Sequence, residues 1–326
     1  MTLIERAMIV ALYETLREIV LDIKPDLILI TYPIYQAPLS AVTILNGLTR
    51  IPLITVVTDL VSVHHVWFNH NITCCAVPTE EVREQALKAG VSPEHIILSG
   101  IPVNPHIGEL RQVPPAELRR KLGWDEEMTT FLAVGSPRVT DFEKLLQGLD
   151  QSQRPFQMIL VAGGNEELNE RLEAMTWQHP SHIYCFVDDI PEMMRAADLI
   201  LCKAGGLIVT ESLAAGLPLL LIHALPGQEA GNVAYVVKNQ AGEYCTTEDE
   251  IRETVSSWLA DDEAGLKKCA ENACRIGKPN AAFTVADHAW DCMNGSKGLQ
   301  TTEKEQRHAH ILRDLLQRFN IIRINE

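Results

Sequence analysis

The sequence predicts an α/β protein made of two doubly wound domains. Short, continuous apolar runs alternate with longer segments of helical spacing, a pattern typical of βαβ units and of a parallel sheet that is covered on both faces. The alternation lapses once, in the proline-rich stretch at residues 100–115, which is predicted to be an interdomain linker, and then restarts. A chain of 326 residues is also long enough to form two ordinary hydrophobic cores.

The first domain is predicted to contain three strands. Apolar residues at helical spacing over residues 4–23 indicate an opening amphipathic helix, and a turn then leads into a strand at residues 27–30. A second helix over residues 37–47 precedes a buried strand at residues 52–57. The third strand is predicted at residues 72–77.

The second domain is predicted to contain five strands with helical intervals between them, as expected of a doubly wound sheet. The strand candidates are residues 131–135, 158–163, 183–187, 199–202 and 218–222. We therefore expect a Rossmann-like N-terminal domain over residues 1–113, a C-terminal domain over residues 114–295, and a cleft between the two domains.

Residues 296–326 differ from the rest of the chain and are predicted to form an amphipathic C-terminal tail. A polar segment precedes an apolar stripe that is interleaved with basic residues. The stripe consists of Ile311, Leu312, Leu315, Leu316 and Phe319, and the interleaved residues are His308, Arg313 and Arg318. Two interpretations stay open: an appendage that packs on the body or frays, and a helix that lies in a membrane interface.

Composition argues against several classes of protein. The net charge of -15 and the lack of a dense Lys/Arg stripe exclude a nucleic-acid partner. Eight cysteines without paired CxxC spacing predict reduced core thiols of a cytosolic protein. Charged residues interrupt the apolar positions of residues 1–20, so any membrane contact is expected to be peripheral. No cluster has metal-ligand spacing, so no metal site is predicted.

The most informative segment is ADLILCKAGGLIVTESLAAGLPLLLIHALPGQEAGN, at residues 197–232. A buried strand is followed by Gly205 and Gly206 and then by an apolar-periodic helix, whose N-terminal N–H groups favour an anion such as a diphosphate. Glu211 lies close enough to this turn to accept hydrogen bonds from a ribose diol. A lone glycine pair fits a tight strand-to-helix turn equally well. The polar residues that follow the next strand are what favour a ligand site here.

The two motifs KAGGLIVTE and PGQEAGN resemble the donor-binding signature of a glycosyltransferase family. This family contains monogalactosyldiacylglycerol synthase, the processive diacylglycerol glucosyltransferases and, more distantly, the bacterial cell-wall enzyme that adds N-acetylglucosamine to lipid I. The resemblance implies a GT-B fold and a UDP-sugar donor, which is a substrate rather than a cofactor, held mainly by the C-terminal domain.

The same resemblance implies a set of donor-binding residues. It places the phosphates near Gly205 and Gly206, with Lys203 as a helping cation, and the ribose on Glu211. The sugar is expected on Gln228, Glu229 and Asn232. The remaining candidates are Gly135 and Ser136 in a phosphate loop, Thr210 beside Glu211, Phe186 and Val187 facing the uracil, and Met193 or Met194 below it.

A second stretch, TVVTDLVSVHHVWF at residues 55–68, resembles the TDLxxxHxxWF segment of the diacylglycerol enzymes. Sugar transfer to a lipid hydroxyl needs a base, for which Asp59 and His64 are the candidates. Trp67 and Phe68 are expected on the acceptor side. Alternatively, Asp59 caps the next segment and His64 is an ordinary surface residue.

The chain departs from the family pattern in two places. Members begin with a strand, a glycine-rich loop and a helix that this sequence does not contain, so we expect a truncated, incomplete first domain. In the loop AVGSPRVTDF, Pro137 removes a backbone donor from the phosphate loop. Arg138 is either a replacement phosphate contact or an exposed surface residue.

Three functional hypotheses follow from these features. The leading one is a cytoplasmic enzyme, peripheral at the inner face of the membrane, that moves a hexose from a UDP-sugar to diacylglycerol or a related lipid. The second is a catalytically impaired nucleotide-sugar-binding module, or a subunit that needs a partner chain for the missing N-terminal strands. The third is a nucleotide-sugar 2-epimerase on the same fold. The oligomeric state stays open.

Overall fold

The structure, a computed structural model, divides into two compact units. It describes residues 2–69, 71–139, 141–227, 229–295, 303–319 and 321, with side chains of the last helix from residue 309 onward. Unit 1 comprises Met1–Ile101 with Phe283–Glu326, and unit 2 comprises Pro102–Ala282. Each unit contains a parallel sheet with helices, which confirms the predicted fold class. The predicted domain boundaries after residues 113 and 295 stay a prediction.

Unit 1 contains a 4-stranded parallel sheet in chain order, from β1 to β4. The strands are β1 (Ile28–Ile30), β2 (Leu53–Val56), β3 (Cys74–Val77) and β4 (Ile96–Leu98). Every residue of β2 and β3 is buried, which explains why their continuous apolar runs are visible in the sequence. The prediction missed β4, a short edge strand whose residues range from buried to exposed.

The first helices of unit 1 pack on each other and on the sheet. They are α1 (Leu3–Ile23), α2 (Gln36–Leu45) and α3 (Glu80–Lys88), with short 3-10 helices at Pro33–Tyr35, His65–Trp67 and Pro93–His95. A capping box between Thr2 and Glu5 begins α1, which ends at Lys24 in the left-handed region at φ 52°. Buried Ile9 and Tyr13 belong to the apolar core that α1 shares with α2.

Unit 2 contains a 6-stranded parallel sheet in the order β10-β9-β8-β5-β6-β7. Its strands are β5 (Thr130–Val134), β6 (Gln157–Val161), β7 (Ser181–Tyr184), β8 (Leu199–Lys203), β9 (Leu219–His223) and β10 (Gly242–Tyr244). Its helices are α4 (His106–Leu110), α5 (Pro115–Leu122), α6 (Phe142–Asp150), α7 (Glu166–Ala174), α8 (Ile190–Ala196), α9 (Gly206–Ala215), α10 (Ala230–Lys238), α11 (Glu248–Trp258) and α12 (Ala260–Ile276).

The proline-rich stretch predicted as a linker contains α4. Ile107 and Leu110 are buried, and the Arg195 guanidinium donates hydrogen bonds to the carbonyls of Leu110 and Val113, at 3.2 and 3.0 Å. The prolines obscured this helix in the sequence because they flank it on both sides. The segment from residue 102 onward is therefore part of unit 2.

The last two helices, α13 (Ala281–Gly295) and α14 (Glu303–Arg318), pack on unit 1. In α14 the apolar stripe divides. Leu312, Leu315 and Leu316 are buried in the core around α1 and α2, whereas Ile311 and Phe319 are exposed. This packing agrees with the interpretation of an appendage on the body; the side chain of His308 lies outside the described residues. In the described part of the chain, no helix combines the length and apolarity needed to cross a bilayer.

Candidate functional site

The strand order of unit 2 reverses between β5 and β8. From β5 the chain proceeds to β6 and β7 on one side, and then to β8 and β9 on the other. In a doubly wound sheet the ligand crevice lies outside the carboxyl ends of the strands at such a switch point. The structure therefore brings the loop after β5, with Gly135 and Ser136, next to the turn after β8, with Gly205 and Gly206.

The turn after β8 presents an uncapped helix N-terminus. Gly205 is the N-cap of α9, and no side chain caps this end. A Cβ on Gly205 would lie 3.0 Å from the Nζ atom of Lys203, so the missing side chain leaves room for this ammonium group. The first turn of α9 thus combines backbone N–H groups, a helix dipole and a neighbouring cation, which together suit a diphosphate.

Lys203 is held by a carboxylate on the neighbouring loop. Its ammonium group pairs with Oε1 of Glu229, and Oε2 of Glu229 accepts the Leu225 backbone N–H at 2.9 Å. Burial raises the pKa of Glu229, but the hydrogen bonds from Lys203 and Leu225 outweigh burial, so the pKa lies below its ordinary value. Both carboxylate oxygens of this predicted sugar ligand are thus engaged within the protein.

Two further predicted donor residues also make internal hydrogen bonds. Asn232 is buried, and its amide donates to the carbonyl of Ala204 at 2.9 Å. Thr210 is buried, and its hydroxyl donates to the carbonyl of Gly206 at 2.7 Å. Asn232 therefore fixes the turn before α9, and Thr210 bonds within the helix. Gln228, the remaining predicted sugar ligand, lies outside the described residues.

Glu211 differs from these residues because it has no partner in the described part of the chain. It is half-buried in the second turn of α9, and burial raises its pKa above the ordinary value. A half-buried carboxylate without a donor is suited to accept hydrogen bonds from the two hydroxyls of a ribose. This placement agrees with the role that the sequence indicated, and that role stays a prediction.

Gly135 lies at a crowded point behind the predicted phosphate loop. A Cβ there would meet Cδ2 of Leu168 at 2.9 Å and the carbonyl of Val161 at 3.2 Å. Packing alone therefore requires this glycine, whatever it binds. Ser136 follows it and accepts the Arg138 backbone N–H on Oγ at 3.4 Å.

The predicted uracil-facing residues follow β7, which lies at the edge of the sheet. Phe186 is 66% exposed and lies beside Gly164, where a Cβ would approach its ring to 3.7 Å. Val187 is half-buried. Met193 and Met194 of α8 are both buried in unit 2. An exposed aromatic ring near a glycine turn is suited to stack on a nucleobase such as uracil, whereas the two methionines pack in the interior.

The candidate base residues lie in unit 1, after β2. The Trp67 indole N–H donates to Oδ2 of Asp59 at 2.7 Å, which fixes an otherwise exposed carboxylate. Nδ1 of His64 accepts the Val66 backbone N–H at 3.2 Å. This contact occupies the Nδ1 lone pair, which makes His64 less suited to accept a substrate proton at that atom.

The rings of Trp67 and Phe68 are buried in the core of unit 1. Trp67 is fixed further by Gln36, whose amide donates to the Trp67 carbonyl at 2.7 Å. The two aromatic residues thus shape the site from inside the unit. The sequence did not identify Gln36, because a single glutamine at the start of a helix carries no signal of its own.

One trio of potential metal ligands is present among the described residues, although no metal site was predicted. It consists of His106, Asp189 and Glu192, whose ligand atoms lie within 4.8 Å of one another. Lys121 pairs with Glu192, so this surface group is already partly neutralised. His106 begins α4, whereas Asp189 is the N-cap of α8 and Glu192 lies in its first turn, so no spacing motif in the sequence joins His106 to the other two.

Comparison with known proteins identifies the fold class. The structure resembles a crystal structure of MurG from Acinetobacter baumannii with a TM-score of 0.63 at 18% identity, covering 87% of this chain and 78% of that one. It also resembles UDP-GlcNAc 2-epimerase from Neisseria meningitidis bound to UDP-GlcNAc, with a TM-score of 0.60 at 16% identity, covering 86% and 80%. Two parallel-sheet units with a switch-point crevice therefore define a GT-B-like protein.

The sequence comparisons then identify the family. Residues 3–103 match the family Monogalactosyldiacylglycerol (MGDG) synthase, and residues 129–288 match the Glycosyltransferase family 28 C-terminal domain. Monogalactosyldiacylglycerol synthase of Spinacia oleracea is 35% identical over 272 residues, which are 80% of this chain and 52% of the spinach protein. The chain belongs to the MGDG synthase family of GT-B glycosyltransferases. It spans about half the length of the curated relatives that it matches.

Proposed function

We propose that this protein is a UDP-sugar-dependent transferase that moves a hexose, galactose in the first instance, to the free hydroxyl of diacylglycerol. The observation that carries the proposal is the joint match of residues 3–103 to the MGDG synthase family and of residues 129–288 to the glycosyltransferase family 28 C-terminal domain. The spinach relative is named for the same product class. Because diacylglycerol resides in bilayers, we expect the protein to act peripherally at a membrane surface, and a cytoplasmic, inner-face location stays a prediction.

On the donor side, we assign the diphosphate to the N-terminus of α9 and to Lys203. The N–H groups of the first turn and the ammonium group would stabilise the negative charge that develops on the departing UDP. The ribose is assigned to Glu211, a half-buried carboxylate for which the described structure shows no hydrogen-bond partner. The uracil ring of the donor is assigned to the loop after β7, where Phe186 is exposed.

On the acceptor side, we assign the general base to Asp59. Trp67 holds Oδ2 of its carboxylate, and no other residue that the structure describes is hydrogen-bonded to it. His64 is the weaker candidate, because its Nδ1 lone pair is engaged by the Val66 backbone N–H. Removal of the hydroxyl proton and charge stabilisation on UDP are the two tasks that this reaction demands.

The experiment that tests the proposal is a transfer assay with purified protein. Mixed micelles of dioctanoylglycerol are incubated with UDP-galactose, UDP-glucose or UDP-N-acetylglucosamine, and both released UDP and extracted glycolipid are measured. We expect lipid-dependent UDP release and a glycolipid with UDP-galactose. No UDP release with any donor refutes the proposal for this chain, and tight UDP binding without turnover supports a binding module instead. UDP release without lipid, and no glycolipid, points to other chemistry such as epimerisation.

A further inference from the structure

A histidine and two carboxylates converge at the first turns of two helices in unit 2. They are His106 of α4, Asp189 at the N-cap of α8 and Glu192 in its first turn, and one ligand atom of each lies within 4.8 Å of the others. Ligand atoms that bind one zinc ion at about 2.0–2.2 Å lie about 3–4 Å apart. Small side-chain rotations therefore suffice to bring the three atoms onto one ion.

The two helices that supply these ligands are held together independently of the trio. The Arg195 guanidinium, on α8, donates to the carbonyls of Leu110 and Val113 at the end of α4, at 3.2 and 3.0 Å. At the start of α8, Oδ1 of Asp189 accepts the Glu192 backbone N–H at 3.4 Å. The ligands are thus positioned by the fold before any ion binds, which lowers the entropy cost of binding.

A carboxylate outside the trio orients the histidine. Nδ1 of His106 lies 3.1 Å from Oε2 of Glu109, one turn later on α4. Histidines that bind metals usually donate their other ring N–H to a carboxylate, which fixes the tautomer and the orientation of the ring. With its Nδ1 proton donated to Glu109, His106 keeps the Nε2 lone pair for a metal. No residue that the structure describes is hydrogen-bonded to this Nε2 atom.

A cation from the protein already lies against the two carboxylates. The ammonium group of Lys121, on α5, pairs with Oε1 of Glu192. This hydrogen bond raises the pKa of Lys121, and the negative charge of Asp189 raises it further. Both carboxylates therefore attract positive charge to one place. The Lys121 side chain is 63% exposed, so it can move into solvent when a divalent ion takes its position.

The ligand set favours zinc over magnesium and calcium. Mg²⁺ and Ca²⁺ bind oxygen ligands, whereas an imidazole suits Zn²⁺, which also accepts carboxylates. Two carboxylates balance the charge of a divalent ion, and three protein ligands leave the fourth tetrahedral position to water. His106 and Glu192 are half-buried and Asp189 is exposed, so an ion can enter from solvent.

We propose that His106, Asp189 and Glu192 bind a zinc ion, through Nε2 and one oxygen of each carboxylate, and that the ion displaces the Lys121 ammonium group from Glu192. The bound ion crosslinks α4 to α8. Asp189 follows Val187 by two residues, so zinc also fixes the end of the loop to which we assigned the uracil ring. The site is carried by these residues alone and does not rest on the proposed function.

The test is calorimetric titration of the full chain, without an affinity tag and after treatment with a chelator, with zinc. Glu192→Gln and Asp189→Asn each remove a charged ligand, and an asparagine still caps α8. His106→Ala removes the ligand nitrogen. We expect each variant to lose one equivalent of bound zinc or to bind it at least about 100-fold more weakly, because substitution of an outer-shell partner alone costs about 10–100-fold. Thermal unfolding in the absence of zinc checks that each variant folds.

Two further variants change zinc binding in opposite directions. Glu109→Gln leaves the trio intact but removes the carboxylate that orients His106, so zinc affinity is expected to fall about tenfold. Lys121→Met removes the competing ammonium group, so zinc affinity is expected to rise about fivefold, the equivalent of one exposed ion pair. A purely structural role of the cluster does not predict tighter zinc binding after the loss of Lys121.

His288→Ala is the matched control. His288 is an exposed histidine of α13 with Asp291 one turn later, and it lies outside the trio. This variant is expected to bind zinc as the wild type does. Zinc should also raise the thermal unfolding temperature of wild type and His288→Ala, but not of the three ligand variants.

Three results overturn the inference: no zinc bound by wild type, wild-type zinc binding in all three ligand variants, or tighter binding of magnesium than of zinc at these residues. The titrations contain neither a UDP-sugar nor a lipid. A failure of the zinc site therefore leaves the proposed transferase untouched, and a failure of the transferase assay leaves the zinc site untouched.

Discussion

The ion pair between Lys203 and Glu229 gives the sharpest test of the donor side. If this ion pair stabilises the folded unit 2 site, removing either charge lowers the free energy of unfolding. The effects of the two single substitutions are then not additive in the double variant. Glu229→Gln keeps the size of the side chain and an amide oxygen for the Leu225 N–H, so it isolates the loss of charge. Lys203→Met removes the opposite charge with a similar chain length.

The expected magnitude follows from burial. Breaking a buried ion pair costs about 3–5 kcal/mol, whereas an exposed pair contributes about 0–1 kcal/mol. The side chains of Glu229 and Lys203 are 7% and 21% exposed, so the pair lies between these limits. We therefore expect a coupling free energy of about 2 kcal/mol from the double-mutant cycle. Glu229→Ala, which also leaves the Leu225 N–H unpaired, should cost about 3 kcal/mol.

The assay is urea unfolding of wild type, both single variants and the double variant. The pair Lys144–Asp141 of the same unit is the control, because its atoms are 3.6 Å apart and its side chains 65% and 67% exposed. If the Lys203–Glu229 coupling is no larger than the control coupling, our account of the site is refuted.

The same pair predicts a dependence on pH. Because the pKa of Glu229 in the folded protein lies below its ordinary value of 4.5, its contribution is fully present above pH 4.5. It is lost as the pH falls through the folded-state pKa. Glu229→Gln should remove this part of the acid destabilisation.

Three further predictions concern single residues. Glu211→Gln should weaken UDP binding about tenfold in calorimetry, the equivalent of a lost hydrogen bond to a charged group. Because burial raises the pKa of Glu211, the folded protein loses stability as the pH rises above 4.5. In Glu211→Gln this dependence of stability on pH should be absent. Asp59→Asn should lower kcat about 100-fold or more, the usual contribution of a general base, while His64→Gln should have a much smaller effect. Arg119→Met should cost about 3 kcal/mol in urea unfolding, because it leaves Asp198 without its cation and the Ala196 carbonyl without a donor.

Each of these predictions has an outcome that contradicts it. Unchanged UDP affinity in Glu211→Gln removes the ribose assignment, and a larger loss of kcat in His64→Gln than in Asp59→Asn reverses the assignment of the base. A small cost of Arg119→Met, similar to that of the exposed Arg120→Met, contradicts the reasoning from burial.

The sequence predicts the buried strands of this fold well and the edge strands unevenly. The apolar runs of β2, β5, β6, β8 and β9 are continuous because both faces of these strands are covered. The edge strands β4 and β10, of 3 residues each, were missed, whereas the equally short edge strand β1 was predicted from its apolar run. The edge strand β7 was predicted two residues late, and its residues are only half-buried.

The site is predicted to the level of the loops but not of the individual contacts. Strand order brings the loops after β5 and β8 together, and the sequence indicates both loops by glycine and by strand ends. Whether a polar side chain in such a loop faces a ligand or another part of the protein depends on hydrogen bonds across the turn. Asn232 bonds to the Ala204 carbonyl, which is 28 residues away, and no local pattern encodes such a contact.

The pairing of Lys203 with Glu229 also bears on how donor recognition could work. The family resemblance predicts Lys203 beside the phosphates and Glu229 beside the sugar, whereas in the structure these two side chains form an ion pair with each other. A diphosphate near α9 competes with Glu229 for the ammonium group, and any such exchange leaves a carboxylate oxygen free for a sugar hydroxyl. Phosphate binding and sugar binding are then coupled through one ion pair. Consequently, Glu229→Gln should change the affinity for a UDP-sugar relative to that for UDP, and equal effects on both ligands would separate Glu229 from the sugar.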